Sequence, residues 1–259
     1  MSRWDWYQAT LPESSRDEVI SALLSQFELS DVRPGRPKNG YSFGAEIARG
    51  DKVLSTIWWG GNPGCHVTGT GESAPKVAEA IREVAPAHRV TRCDVCKDWV
   101  EEGLFDRLSE ELTEYAQSKG VKINQQGDWI RGEARTLYLG SRNSPVQLVV
   151  YEKGYQAGGN TDWVRMEVRV RPSKDKKEVV AAWQPGNCWT ASRWLVEALE
   201  ALGFAKLDHR SVGTVRQQSD EERARAALIG QYGRIIQQWA EELGGFEELA
   251  VALKEAVEA

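Results

Sequence analysis

The sequence predicts an α+β fold: a strand–helix–three-strand–helix unit occurs twice, its sheets largely antiparallel with helices on one face, and a helical segment follows. Three observations predict this. Short apolar runs alternate at a period of two between Gly, Pro and Asn turns, which is the pattern of strands with one face buried. Longer runs follow a helical period behind Ser or Pro starts. The same element order then recurs after about 90 residues, the signature of a duplicated unit.

The elements justify this in order. Residues 4–10 alternate as a strand, and a helix over 14–27 starts at Ser14 or Ser15. Strands follow near 40–47, 52–59 and 65–70, divided by "RGD" and "GGNPG" turns. The helix "SAPKVAEAIREVA", with Pro75 in its first turn, closes the first unit. The second unit runs through a strand at 89–99, a helix at 104–118, strands near 135–139, 146–151 and 163–171, and a helix at 189–202. From Ser219 the pattern is helical to the end, broken at Gly244–Gly245. The expected domains are an N-terminal α+β half at 1–88, a second α+β half at 89–210 bearing the chemistry, and a helical segment at 211–259.

Composition sets the class. With 259 residues, 41% hydrophobic and 27% charged, the chain has the make-up of a globular protein able to bury a core. No run approaches the roughly 18 apolar residues of a membrane span, and "MSRWDWYQATLPESS" lacks the apolar stretch of a secretory signal, so a cytoplasmic protein with no membrane partner is expected. Four cysteines fit a reducing compartment. The net charge is −5, yet residues 119–177 hold twelve Lys and Arg against six Asp and Glu. That basic middle suits phosphates as well as it suits an ordinary solvated face.

Candidate site residues cluster in the second unit. Cys93 and Cys96 form CxxC, but three residues apart on a strand their sulfurs point to opposite faces, a poor grip for one zinc ion. The same geometry sets Asp94 and Asp98 on one face. Either they pair with arginines such as Arg92 or Arg165, Asp98 capping the next turn, or they bind a metal. In "WVRMEVRVRP" Val164, Met166, Val168 and Val170 alternate with Arg165, Glu167, Arg169 and Arg171. Glu167 either balances those arginines or, lying across the sheet from Asp94, completes a hard oxygen site suited to Mg²⁺ or Mn²⁺. Tyr151 ends its strand and by parity shares a face with Val149 and Lys153. A strand tyrosine is commonly a packing residue; as a nucleophile it needs cations, because an ordinary phenol titrates near pH 10. Lys153, Arg165, Ser141 and Arg142 are available for that electrostatic work, and Arg169 and Arg171 for phosphate contacts.

The stretches "RVTRCDVCKDW", "TLYLGSRNSPVQLVVYEKGYQ" and "DWVRMEVRVRP", in this order over roughly 89–172, resemble the replication initiation factor family, the rolling-circle initiators of certain plasmids and filamentous phages. "HVTGTG" in the first half is similar to a further element of that family. The resemblance implies a metal-dependent enzyme that nicks one strand at an origin and rejoins it through a 5′-phosphotyrosine. It implies Tyr151 as nucleophile, with Tyr138 and Tyr155 as competitors, and Asp94, Glu167 and Asp98 as ligands of Mg²⁺ or Mn²⁺. Its implied partners are single-stranded or hairpin origin DNA, with a host helicase and a second copy of the chain as further candidates. The alternative is a noncatalytic DNA-binding or regulatory protein of the same fold.

Overall fold

Ten antiparallel strands, β1 to β10, form one sheet in the order β2-β3-β4-β5-β1-β6-β10-β9-β8-β7. The computed structural model describes residues 2–203 and 220–258. By contacts the chain divides into two compact units, Met1–Val215 and Arg216–Ala259. The expected domain boundary at 210/211 lies outside the described residues; that at 88/89 falls between α2 and β6, where the sheet continues through hydrogen-bonded β1 and β6.

The first half contains β1 (Arg3–Leu11), α1 (Arg16–Gln26), β2 (Asp31–Gly35), β3 (Phe43–Arg49), β4 (Lys52–Gly60), β5 (Asn62–Thr70) and α2 (Ala74–Val84). The second contains β6 (Arg89–Val100), α3 (Leu104–Lys119), β7 (Ile123–Asp128), β8 (Glu133–Leu139), β9 (Val146–Glu152), a short α4 (Lys153–Ala157), β10 (Trp163–Val170), α5 (Lys176–Ala181) and α6 (Arg193–Ala201). Strand order reads outward the same way from the β1–β6 seam: β5, β4, β3, β2 on one side and β10, β9, β8, β7 on the other. The repeat is therefore a pseudo-two-fold across that seam, with five strands in each half rather than the expected four. The two unexpected strands, β2 and β7, are the sheet's outer edges.

Local chemistry sets the element ends. Ser15 and Glu18 form a reciprocal capping box at α1, the Ser15 N–H donating to the Glu18 carboxylate at 2.9 Å. The helices cover one sheet face, whose strands send Tyr7, Ala9, Val67, Val95, Leu139, Leu148, Val150, Met166 and Val168 into the core. Gly69, in "HVTGTG", lets α2 rest on β5: a Cβ there would come within 2.6 Å of Val77. The expected helix at 189–202 begins only at Arg193, behind a 3₁₀ segment at Pro185–Thr190 and a Ser192 cap. No helix among the described residues is long and apolar enough to cross a membrane.

In the second unit, α7 (Asp220–Leu243) and α8 (Phe246–Glu258) flank the Gly244–Gly245 break, with Ala240 and Leu249 buried.

Candidate active site

The sheet face opposite the core-covering helices carries the polar side of the strands, and in the second half it forms a hollow of about 630 Å³. Asp94 enters it from β6, Glu167 and Arg169 from β10, and Tyr151 from the end of β9. Register explains the convergence: Arg169 pairs with Asp94, Glu167 with Cys96 and with Val149, and Arg165 with Asp98 and Tyr151. Residues paired across adjacent strands share a face, so alternation in three separate segments becomes one cluster.

The acids are deeply set. Asp94 is 1% exposed, and Arg92 Nε donates to both of its oxygens at 3.0 and 3.1 Å. Arg169 Nε stands 2.6 Å from Glu167 Oε1 and 3.9 Å from Asp94 Oδ2, so the two carboxylates flank one guanidinium. Burial pushes the Asp94 carboxyl up to about 7 against the pull of Arg92, and the neighbouring Glu167 pushes the same way. Arg92 and Arg169 offset part of the repulsion between these two hard oxygen groups, and a divalent cation would offset the rest, so the pair fits Mg²⁺ or Mn²⁺; a hard ion on one or two carboxylates keeps positions for phosphate oxygens.

Asp98 stands apart. It accepts from Arg165 Nε at 2.6 Å and Nη2 at 3.1 Å, and pairs with Arg3 at 2.9 Å. Among the described residues no three His, Cys, Asp or Glu side chains come close enough together to hold a metal ion between them. Of the three expected ligands, then, Asp94 and Glu167 meet at the hollow and Asp98 serves the arginines beside it.

The hollow holds an acid that the sequence pattern does not reveal. Asp5 lines it, accepting from Arg165 Nη1 at 2.8 Å. Its signal is a β-bulge: Trp4 pairs with Val95 and Trp6 with Asp94, so Asp5 and Trp6 together face one residue and both turn to the polar face. Arg92 lies 4.3 Å over the Trp6 ring, holding the guanidinium that grips Asp94.

Tyr151 is half-buried beside these groups. Burial holds its hydroxyl well above the usual phenol range; Glu167 and Asp5 add to this and Arg165 opposes it. The strand does not continue to Lys153 as parity implied: β9 stops at Glu152 and Lys153 opens α4. Lys153 still lines the hollow, its Nζ 5.8 Å from the Tyr151 ring centre. Gly154 makes this bend feasible, since a Cβ there would fall 1.8 Å from the Asn160 carbonyl oxygen. Tyr138 and Tyr155 also line the hollow; Tyr138 donates to Gln126 at 3.0 Å and Tyr155 is 40% exposed. Ser141, Arg142, Arg169 and Arg171 line an adjoining hollow. Cys93 lies in the core, its Sγ 3.8 Å from that of Cys188, while Cys96 Sγ faces Asp5, so the CxxC sulfurs diverge.

Pseudo-symmetry isolates this constellation in the second half. Counting outward from the Tyr7–Cys93 pair, Gln8 answers Asp94, His66 answers Glu167 and Gly60 answers Tyr151. His66 is buried, and its ring nitrogens bond Gln8 Nε2 at 2.7 Å and Thr10 Oγ1 at 3.0 Å. Burial lowers its pKa from 6.5 to about 4. The unfolded chain therefore binds more protons at pH 5, and this contribution to stability is whole above about 6.5 and is lost as pH falls towards 4. Urea unfolding is expected to show a loss of about 2 kcal/mol from pH 7 to 5 beyond that of His66→Gln; equal losses would discard the assignment.

With this geometry in hand, the chain can be set beside known proteins. Residues 88–198 match the family model described as replication initiation factor, which bears out the resemblance read from the motifs. Among solved structures the chain is similar to that titled "Structure of Rolling Circle Replication Initiator Protein from Geobacillus stearothermophilus", with a TM-score of 0.56 and 21% identity over 86% of this chain and 90% of that one. At this identity the likeness is one of fold. A comparison with curated proteins finds no match.

Proposed function

We propose that this chain, which carries the replication initiation factor signature over residues 88–198, starts rolling-circle replication by nicking one strand of an origin through Tyr151 and later rejoining it. One observation carries the reading: Tyr151, Asp94 and Glu167, from three strands, line a single hollow on the polar sheet face. In the proposed reaction the Tyr151 hydroxyl oxygen attacks phosphorus, the P–O3′ bond breaks, and the 5′-phosphate stays on the tyrosine. Arg165, beside the phenol, steadies the charge that develops on its oxygen. Lys153 gives a proton to the departing 3′ oxygen and regains one from the phenol. Asp94 and Glu167 would hold the divalent ion, which when bound polarises the phosphate. Origin DNA, single-stranded or as a hairpin, is the proposed partner; on the family resemblance a host helicase and a second copy of the chain join it.

The test incubates the full chain with single-stranded oligonucleotides spanning candidate origins and Mn²⁺, and looks for a covalent adduct on a denaturing gel. A second reading, DNA binding without chemistry, is favoured by the arginines that already pair both acids. Binding with no adduct on any origin would select it.

A separate expectation concerns the metal alone. Mn²⁺ at about 100 times its dissociation constant should stabilise the chain by about 2.7 kcal/mol, read as a rise in thermal midpoint. Asp94→Asn and Glu167→Gln should abolish the rise; a rise that survives both would move the ion elsewhere.

A further inference from the structure

Beside the Tyr151 hollow lies a second, of about 800 Å³, and the two share Arg92, Gln126, Tyr138 and Arg169. Its cations are Arg92, Lys122, Arg142, Arg169 and Arg171, and no carboxylate is among its lining residues. Arg92 and Arg169 are held by Asp94 and Glu167, whereas Lys122, Arg142 and Arg171 make no ion pair among the described residues. Burial and the neighbouring Arg92 lower the Arg171 pKa, with Asp94 opposing them and Arg169 and Arg142 adding to the crowding of guanidiniums.

Two buried polar atoms here lack any hydrogen-bond partner among the described residues: Gln147 Oε1, an acceptor, and Arg171 Nη1, a donor. Gln147 is 4% exposed, and its Nε2 is fixed on the Gly140 carbonyl at 3.2 Å, which sets the orientation of the amide. An orphaned acceptor so deeply buried costs about 1–3 kcal/mol unless something donates to it. Within an uncut DNA strand the phosphodiesters are acceptors only and the internal deoxyriboses carry no hydroxyl. The bases are the part that bears N–H donors.

We infer that the second hollow is a nucleobase subsite next to the nicked phosphate, in which Gln147 Oε1 accepts from a base N–H and Arg171 Nη1 donates to an acceptor on the same edge. Arg142 and Lys122 hold the accompanying phosphates. The inference deepens the DNA-nicking reading and rests on it for its substrate. All four bases present a neighbouring donor and acceptor, so the geometry requires a base edge without selecting which base.

The experiment is binding by fluorescence anisotropy, in EDTA, of the full chain to two labelled twelve-nucleotide strands: mixed-sequence single-stranded DNA, and a fully abasic strand of the same charge. Gln147→Leu is expected to weaken binding of the first about tenfold and leave the second unchanged. Arg142→Ala should weaken both alike. Equal affinities of Gln147→Leu and wild type for the base-bearing strand, or equal losses on both strands, would overturn the subsite. If Gln147→Leu does not fold, as a thermal melt would report, Arg171→Gln is read by the same ratio, with the same loss expected and the same result counting against it. Because no step is catalysed, the readout is independent of nicking: an adduct at Tyr151 with an unchanged ratio removes the subsite alone. A reduced ratio without any adduct removes the nicking and leaves base binding.

Discussion

Tyr151→Phe is expected to abolish the covalent protein–DNA adduct and to lower nicking by at least about 10⁴-fold, while DNA affinity stays within about twofold. The substitution deletes one oxygen and keeps the ring on which Lys153 rests. Because the phenol is only half-buried, loss of the hydroxyl should alter stability by no more than about 1 kcal/mol. The effect on chemistry is large because nothing nearby substitutes cheaply. Tyr138 is bonded to Gln126 across the β7–β8 pair, and Tyr155 stands 40% exposed beyond the bend in α4. Neither is paired in register with Arg165, as Tyr151 is. Burial, reinforced by the acids Glu167 and Asp5, raises the phenol's pKa and so opposes a nucleophile, but an acidic neighbourhood is also the one a cation enters, and the two demands meet only when substrate and ion are present together. The measurement is a gel of labelled DNA with wild type and variant, with peptide mapping of the linked residue. An adduct of undiminished yield in Tyr151→Phe transfers the chemistry to another tyrosine.

How far the sequence foretold this follows from where each residue sits. The interior strands were legible because burial forces alternation, and "WVRMEVRV" displays it in full. The two unread strands are edges: β2 contains Pro34 and β7 is "INQQGD", largely polar, because an edge need satisfy neither a buried face nor a second partner. Asp94, Glu167 and Tyr151 were legible as a set only through motif order, since parity gives a face but not which strands are neighbours. Asp5 was illegible because strict alternation fails at a bulge, which depends on pairing with β6. Gln147 was illegible for a different reason. In "PVQLVVY" it reads as a solvent-facing residue, and its meaning comes from an unsatisfied atom that exists only after folding. The acids and arginines also proved more deeply buried than an exposed charged face implies: Arg165 and Glu167 are 5% and 4% exposed and pair with half-buried partners, which shields nominal surface charges from much of the solvent.

Arg165→Met is expected to destabilise the fold by about 3–5 kcal/mol, the range for removing one partner from a buried ion pair. Three of its nitrogens are committed: Nε and Nη2 to Asp98 at 2.6 and 3.1 Å, and Nη1 to Asp5 at 2.8 Å. These bonds tie β10 to β6 and to the bulge of β1, so the guanidinium sutures the seam between the two halves where the hollow opens. Methionine fills a similar volume but leaves Asp98 and Asp5, each with a side chain about four-fifths buried, without the guanidinium, Asp98 keeping Arg3 and Trp163 and Asp5 the Cys96 thiol. Arg165→Lys keeps the charge and loses the fork, so a smaller deficit of about 1–2 kcal/mol is expected. Adding Asp98→Asn to Arg165→Met removes the stranded charge and should recover about half of the loss, a coupling that urea unfolding of the four-member cycle measures directly. A loss below about 1 kcal/mol in Arg165→Met, or no recovery in the double variant, would mean that the pair is bathed in water and that the seam is held by β1–β6 backbone bonds alone. In that event Arg165 would act through its charge beside Tyr151, and Arg165→Met would lower the nicking rate with little change in the unfolding midpoint.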